Sequence, residues 1–210
     1  MKKIFITGIG TDIGKTVVSA VVVEALFADY WKPVQSGGLD YTDTQRVQNL
    51  ISNPKSQFHK EAFLLKQPMS PHAAAALDGV EIDLDNIVVP ETSNTLVIEG
   101  AGGLMVPINN STLMLDMIAK WEASVIVVSK NYLGSINHTL LTCAVLRAKQ
   151  IPVAGIIFNG MENVSSEQFI TQYSDIPVIG RVAHTDVLDK PFIKKHAEFI
   201  RKRMQQLKIS

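Results

Sequence analysis

Apolar positions in this chain fall into short, nearly unbroken runs at residues 4 to 7, 95 to 99, 125 to 129 and 153 to 159. They are rich in β-branched residues and barely alternate with polar ones, the pattern of strands covered on both faces. Tyr30-Trp31 reads as a shorter strand of the same kind. Between these runs, residues 15 to 28, 113 to 120 and 136 to 150 read as helices. Strands alternating with helices imply an α/β domain, a mostly parallel sheet with right-handed crossovers and helices on both faces. In such a sheet the ligand crevice lies at the carboxyl ends of the strands. Polar and glycine residues collect there, at 8 to 16, 32 to 37, 99 to 103, 129 to 137 and 159 to 160.

Residues 40 to 90 are more polar and less regular, and are expected to form loops and short helices along one edge. From Lys190 onward, Ile193, Ala197, Ile200, Met204 and Leu207 recur at helical spacing. Lys194, Lys195, Arg201, Lys202 and Lys208 would then form a solvated basic face. No repeat, low-complexity tract or linker divides the 210 residues, so a single domain over 1–210 is expected.

The apolar fraction of 46% against 19% charged residues excludes a disordered chain. Lys plus Arg equals Asp plus Glu at 20 each, so no global field draws the protein to nucleic acid or to an anionic membrane. No stretch approaches the length needed to span a bilayer, and Met1-Lys2-Lys3 leads straight into a strand rather than a signal peptide. A cytoplasmic enzyme is the expectation. The single cysteine, Cys143, sits in an apolar helical segment and reads as a small core residue.

The strongest chemical signal is Gly8-Ile9-Gly10-Thr11-Asp12-Ile13-Gly14-Lys15-Thr16, between the first strand and the first helix. Glycines let backbone N–H groups face an anion, and the new helix points the positive end of its dipole at the same place. Lys15 would reach β- and γ-phosphates, and Thr16 would offer a hydroxyl to Mg²⁺. Five residues, rather than the usual four, separate Gly8 from Gly14, so the loop is lengthened. In Lys32-Pro33-Val34-Gln35-Ser36-Gly37, Pro33 biases Lys32 toward extended backbone. That lysine either stabilises developing charge beside the phosphate loop or is an ordinary surface residue. Glu99 ends a buried strand, where a carboxylate needs a compensating charge, and in phosphate-loop proteins such an acid commonly holds Mg²⁺. Asp43 is a second carboxylate candidate, or a turn or helix-cap residue. Thr16, Asp43 and Glu99 would suffice for Mg²⁺, which keeps several waters.

Taken in chain order, Thr11 with Gly14-Lys15-Thr16, Lys32-Pro33-Val34 with Ser36-Gly37, Ser70-Pro71-His72, Glu99-Gly100-Ala101-Gly102-Gly103 and Leu133-Gly134-Ser135-Ile136-Asn137-His138 form a specific set. In these motifs the sequence resembles the dethiobiotin synthetases, P-loop ligases of biotin synthesis, from residue 4 to about 180. The resemblance implies ATP and Mg²⁺ as cofactors, and 7,8-diaminononanoate and CO₂ as substrates. CO₂ adds to one amine, the carbamate attacks the γ-phosphate of ATP, and the second amine closes the mixed anhydride to a cyclic urea. On this pattern Lys15, Lys32, Thr11 and Ser36 serve the reacting centre. Asp12, Ile13, Gly14, Lys15, Thr16 and Val17, with Glu99, Gly100, Gly102 and Gly103, hold the nucleotide. Asn159 would bond the adenine edge, and Pro177, in Pro177-Val178-Ile179-Gly180, would line the base.

Ser36, Pro107, Leu133, Gly134, Ser135, Ile136 and Asn137 are the implied diamine contacts. Free N–H groups before the helix at residue 136 would take the substrate carboxylate, and in the family this segment serves the neighbouring subunit, which implies a homodimer. His72 and His138 are given no catalytic role, since no second His or Cys stands at metal-ligand spacing. The rival class is a partition- or septum-positioning-type ATPase switch. Those proteins carry a second lysine early in the phosphate loop, and no lysine lies between Gly8 and Gly14. A related amide-forming ligase would need an additional glutamine-handling domain, for which 210 residues leave no room.

Overall fold

A computed structural model describes residues 1–209. In chain order its elements are β1 (Lys3–Gly8), α1 (Lys15–Leu26), β2 (Asp29–Trp31), β3 (Val34–Ser36), α2 (Asp43–Leu50), β4 (Phe58–His59), β5 (Phe63–Leu65) and α3 (Pro71–Asp78). There follow β6 (Leu96–Gly103), α4 (Met114–Lys120), β7 (Ser124–Lys130), α5 (Ser135–Ala148), β8 (Val153–Gly160), α6 (Val164–Ser174), β9 (Val178–Ala183) and α7 (Lys190–Gln206). Seven strands form one sheet in the order β4-β2-β6-β1-β7-β8-β9, paired in parallel throughout. β3 and β5 make a small parallel pair beside it.

Every long apolar run is a strand of this sheet. The elements that periodicity does not reveal are the short strands β3, β4 and β5, together with β9 and α6. Two- and three-residue strands carry too few positions to show a period. α6 is polar along its length and buries only Ile170 and Ser174, so it has no apolar stripe to detect.

Successive strand residues face opposite cores. Ile4, Ile6, Tyr30 and Val97 pack with α1 and α7, whereas Phe5, Trp31, Ile98, Val125 and Val127 pack with α4 and α5. α1 is enclosed by the sheet, α2 and α7, which is why its sequence is apolar almost all round. α7 buries the expected stripe of Ile193, Ala197, Ile200 and Met204. One of its basic residues departs from expectation. Arg201 turns inward, donating to the carbonyls of Ala25 at 2.6 Å and Glu24 at 3.1 Å, with its guanidinium over the Phe27 ring. It thus ties down the open carbonyls at the end of α1. Among the described residues, no helix is long and apolar enough to cross a membrane.

β1 lies between β6 and β7. The chain leaves β1 toward β2 on one side of it and later crosses from β6 to β7 on the other. The carboxyl end of β1 is therefore the topological switch point, where α/β sheets bind ligands. Residues 8 to 16 emerge at that point.

Candidate functional site

Gly14 caps α1 in the left-handed region, at φ +88°. A Cβ there would lie 2.1 Å from the side-chain nitrogen of Asn159, so glycine is required twice over. Asn159, at the end of β8, donates from Nδ2 to the carbonyl of Ile13 at 2.8 Å and so braces the loop from two strands away. Its Oδ1 remains to meet the amino group of a base. On the other flank, Gly103 is in register with Gly8, and an added Cβ would approach the Gly8 carbonyl to 3.1 Å. The glycines after Glu99 let β6 run on directly alongside the phosphate loop.

Two strands and two helices, β2, β6, α1 and α2, then bring polar and charged groups to one place. Glu99, on β6, is 1% exposed and accepts three hydrogen bonds. Thr16 Oγ1 and Lys32 Nζ both donate to Oε1, at 2.8 and 3.1 Å, and the Tyr30 hydroxyl donates to Oε2 at 2.9 Å. Lys32 Nζ also pairs with Asp43 at the start of α2. Lys32 is buried in the cleft wall and is not an ordinary surface residue. Asp43 does not cap α2. Thr42 does, in a capping box with Gln45, which leaves the Asp43 carboxylate free to turn to Lys32.

Burial alone would push the Lys32 ammonium down, but the attraction of Glu99 and Asp43 holds it above its ordinary range. Burial likewise opposes the Asp43 carboxylate, yet Lys32 draws it below the usual carboxylate range. Among the described residues Lys15 has no such ion pair; its ammonium donates to the Gly10 carbonyl at 2.9 Å. Burial lowers it to about 8, with the attraction of Glu99 opposing and the repulsion of Lys32 reinforcing that shift. A dense anion arriving at Lys15 would relieve both desolvation and repulsion.

Thr11, Asp12, Gly14, Lys15, Thr16, Lys32, Ser36, Asp43, Glu99 and Gly102 all line one cleft of about 670 Å³. Ser36 Oγ in its wall is buried without a hydrogen-bond partner, an orphaned donor suited to a ligand oxygen. A groove of about 750 Å³ between α6 and α7 is larger, but its Arg181 is committed to Glu167 and it lies away from the phosphate loop. Among the described residues, no three His, Cys, Asp or Glu side chains cluster closely enough to hold a metal by themselves. Two carboxylates and the Thr16 hydroxyl nonetheless form a set of hard oxygen donors adequate for an ion that keeps most of its waters.

Some expected residues lie elsewhere. Pro177 precedes β9 at its amino end, while the register pairs Asn159 with Val182. Pro177 is therefore at the wrong end of the strand to line a base held by Asn159; Val182, Ala183 and His184 reach that end. Pro107 stands behind the cleft wall, where its carbonyl accepts from the His72 N–H, and Val106 and Pro71 form the wall itself. Leu133, Gly134, Ile136 and Asn137 line a separate cleft, with Leu133 fully exposed. Within one chain they do not join Lys15 and Lys32. His72 and His138 make local bonds to Ser70 and Tyr132. Tyr30 was not legible as a site residue, although its place two positions before Lys32 on a strand puts both side chains on one face.

A family model described as an AAA domain matches residues 2–191. The ATP-dependent dethiobiotin synthetase of Christiangramia forsetii is 50% identical over 206 residues, covering 98% of this chain and 99% of that protein. That of Cytophaga hutchinsonii is 48% identical over 198 residues, covering 94% and 96%. Among solved structures, the cell division ATPase MinD of Pyrococcus furiosus matches with a TM-score of 0.62 at 13% identity, over 96% of this chain and 99% of that one. A putative plasmid partition protein of Borrelia burgdorferi bound to AMPPNP gives 0.58 at 11% identity, over 98% of each chain. At such identities these two structures share the fold alone, whereas the sequence relatives match from end to end: the chain belongs to the family of ATP-dependent dethiobiotin synthetases.

Proposed function

We propose that the chain is a cytoplasmic, homodimeric ligase that carboxylates 7,8-diaminononanoate and closes it to dethiobiotin, turning ATP into ADP and phosphate. The observation that carries this reading is the pair of buried ammonium groups, Lys15 and Lys32, lining one cleft with an unpartnered Ser36 hydroxyl. A carbamate and a triphosphate repel each other, and their approach needs concentrated positive charge in a water-poor site.

An amine of the substrate attacks the carbon of CO₂ and loses a proton, giving a carbamate. A carbamate oxygen attacks the γ-phosphorus, and the bond from phosphorus to the β-bridging oxygen breaks to release ADP. The second amine then attacks the carbamoyl carbon, closing the cyclic urea as phosphate leaves. Lys15 compensates the β- and γ-oxygens, Lys32 the carbamate, and Thr11 and Ser36 donate hydrogen bonds that align it. Thr16, Asp43 and Glu99 would hold Mg²⁺, which supplies further charge neutralisation at the phosphates. No side chain serves as a covalent nucleophile.

The substrate's carboxylate tail is assigned to the start of α5 in a second copy. Support comes from the exposed Leu133 and from the separation of that segment from its own chain's cleft. Purified protein incubated with 7,8-diaminononanoate, bicarbonate, ATP and Mg²⁺ should yield the cyclic urea by mass spectrometry. ATP turnover indifferent to the diamine, with no cyclic urea formed, would instead favour a nucleotide switch.

A further inference from the structure

We infer that Tyr30 is a positioning residue for this reaction, acting through Glu99; the inference rests on the assignment of Glu99 and Lys32 to the reacting centre. Tyr30 does not line the cleft. It is fully buried on β2, in register with Val97 of β6, so its ring lies one step below Glu99 on the same face of the sheet. From there the hydroxyl reaches up to Glu99 Oε2 at 2.9 Å.

The two oxygens of Glu99 thereby acquire separate duties. Oε1 faces the cleft and takes both Thr16 and Lys32, whereas Oε2 faces the interior and takes only Tyr30 among the described residues. The terminal torsion of a glutamate is broad and roughly two-fold, so nothing intrinsic to Glu99 keeps its oxygens apart. The Tyr30 hydroxyl does. Without it, the buried Oε2 lacks a donor, and the cation already bonded to this carboxylate is Lys32. The carboxylate would turn to offer Lys32 both oxygens, drawing the ammonium away from the cleft and displacing Oε1 from Thr16. A phenylalanine would fill the same space, so packing alone does not call for the hydroxyl.

Tyr30→Phe tests this with the full-length protein. Its kcat should fall about tenfold, with KM for ATP changed less than about twofold, since the loss lies at the reacting centre. In an independent readout, Mn²⁺ binding in the presence of ADP, followed by electron paramagnetic resonance, should weaken about tenfold. In a Glu99→Gln background the same substitution should have no further effect on Mn²⁺ affinity, because Tyr30 acts only through that carboxylate. Additive losses in the two backgrounds, or a lowered melting temperature with normal kcat and Mn²⁺ affinity, would make Tyr30 a packing residue and overturn the inference. A second measurement leaves Tyr30 itself unchanged. In 3-fluorotyrosine-labelled protein, the Tyr30 fluorine resonance should move when Mg²⁺ and ADP are added to the native sequence, and stay still in Glu99→Gln. A resonance that responds equally in both also overturns it. If Lys32→Ala and Glu99→Gln keep full activity, the site assignment itself has failed; if they are inactive while Tyr30→Phe is normal, only the role of Tyr30 has.

Discussion

Replacing Lys32 by alanine removes the ammonium that two carboxylates share. Glu99 is almost wholly buried, and the Asp43 side chain is 23% exposed. Taking one partner from a buried ion pair costs about 3–5 kcal/mol, because the other charge remains desolvated. Here Glu99 keeps its bonds from Thr16 and Tyr30, and solvent screens part of Asp43, so the lower end, about 3 kcal/mol, applies. For a chain of this size that corresponds to a fall in melting temperature of about 6–12 °C. The loss should be partly recovered by Mg²⁺, because carboxylates without a neighbouring ammonium form a stronger site for a divalent cation. Scanning calorimetry with and without Mg²⁺ reads both effects: the ion should raise the melting temperature of Lys32→Ala more than that of the parent. Turnover should fall by about 10²–10³ in kcat, the scale for deleting a group that stabilises transition-state charge, with a smaller change in ATP affinity. Lys32→Met, which keeps the aliphatic stem, should behave the same way if charge rather than packing is responsible. A variant that melts like the parent, and gains no more from Mg²⁺ than the parent does, would refute the shared-cation reasoning. A loss confined to ATP affinity would move Lys32 to nucleotide binding.

Asn137→Ala should raise KM for the diamine and leave ATP affinity unchanged; equal loss of both would signal misfolding instead. Gly14→Ala forces a side chain into the left-handed region and against Asn159, at a cost of about 1–3 kcal/mol, and should weaken binding of ATP analogues by displacing the brace on Ile13. An unchanged denaturant midpoint and analogue affinity would contradict that geometry. Burial raises the Cys143 thiol from its ordinary 9.0 to about 11. The folded state therefore keeps its proton while the unfolded state loses it, so this group subtracts stability as pH rises from about 9 to about 11, by about 3 kcal/mol at most. Below pH 9 it contributes nothing. Denaturant curves of Cys143→Ala should lack that part of the alkaline decline, and matching pH profiles would show the thiol to be solvated.

Much of the site was legible because its determinants are local. The phosphate loop declares itself within nine consecutive residues, Gly8 to Thr16, since a strand, a turn and a helix start must follow one another there. Lys32 and Glu99 were visible as polar residues ending apolar strands, but their states were not. A buried lysine and a surface lysine carry the same letter, and only the carboxylates of two other elements distinguish them. Asp43 was ambiguous between cap and site residue, and the capping box of Thr42 shows only that it is not the cap. Pro177 was misplaced because a segment match does not say where a strand begins. The strand it precedes runs away from it, so the opposite end meets Asn159. Arg201 looked like part of a solvated face because helical periodicity marks the apolar stripe but not which flanking residue meets a neighbouring helix end.

Taken alone, the order of apolar runs, glycine turns and helical stripes determined a parallel α/β sheet, a phosphate loop after its first strand and the reactive ends of its strands. These follow from short-range backbone preferences and from burial, both of which act on neighbouring residues. The tertiary structure decided which distant charges meet. The alignment of β2 beside β6, and of α2 against α1, brings Lys32, Asp43, Tyr30 and Glu99 within hydrogen-bonding distance. Coulombic and desolvation energies depend on separation in space rather than along the chain, so that convergence could be read only from the folded molecule.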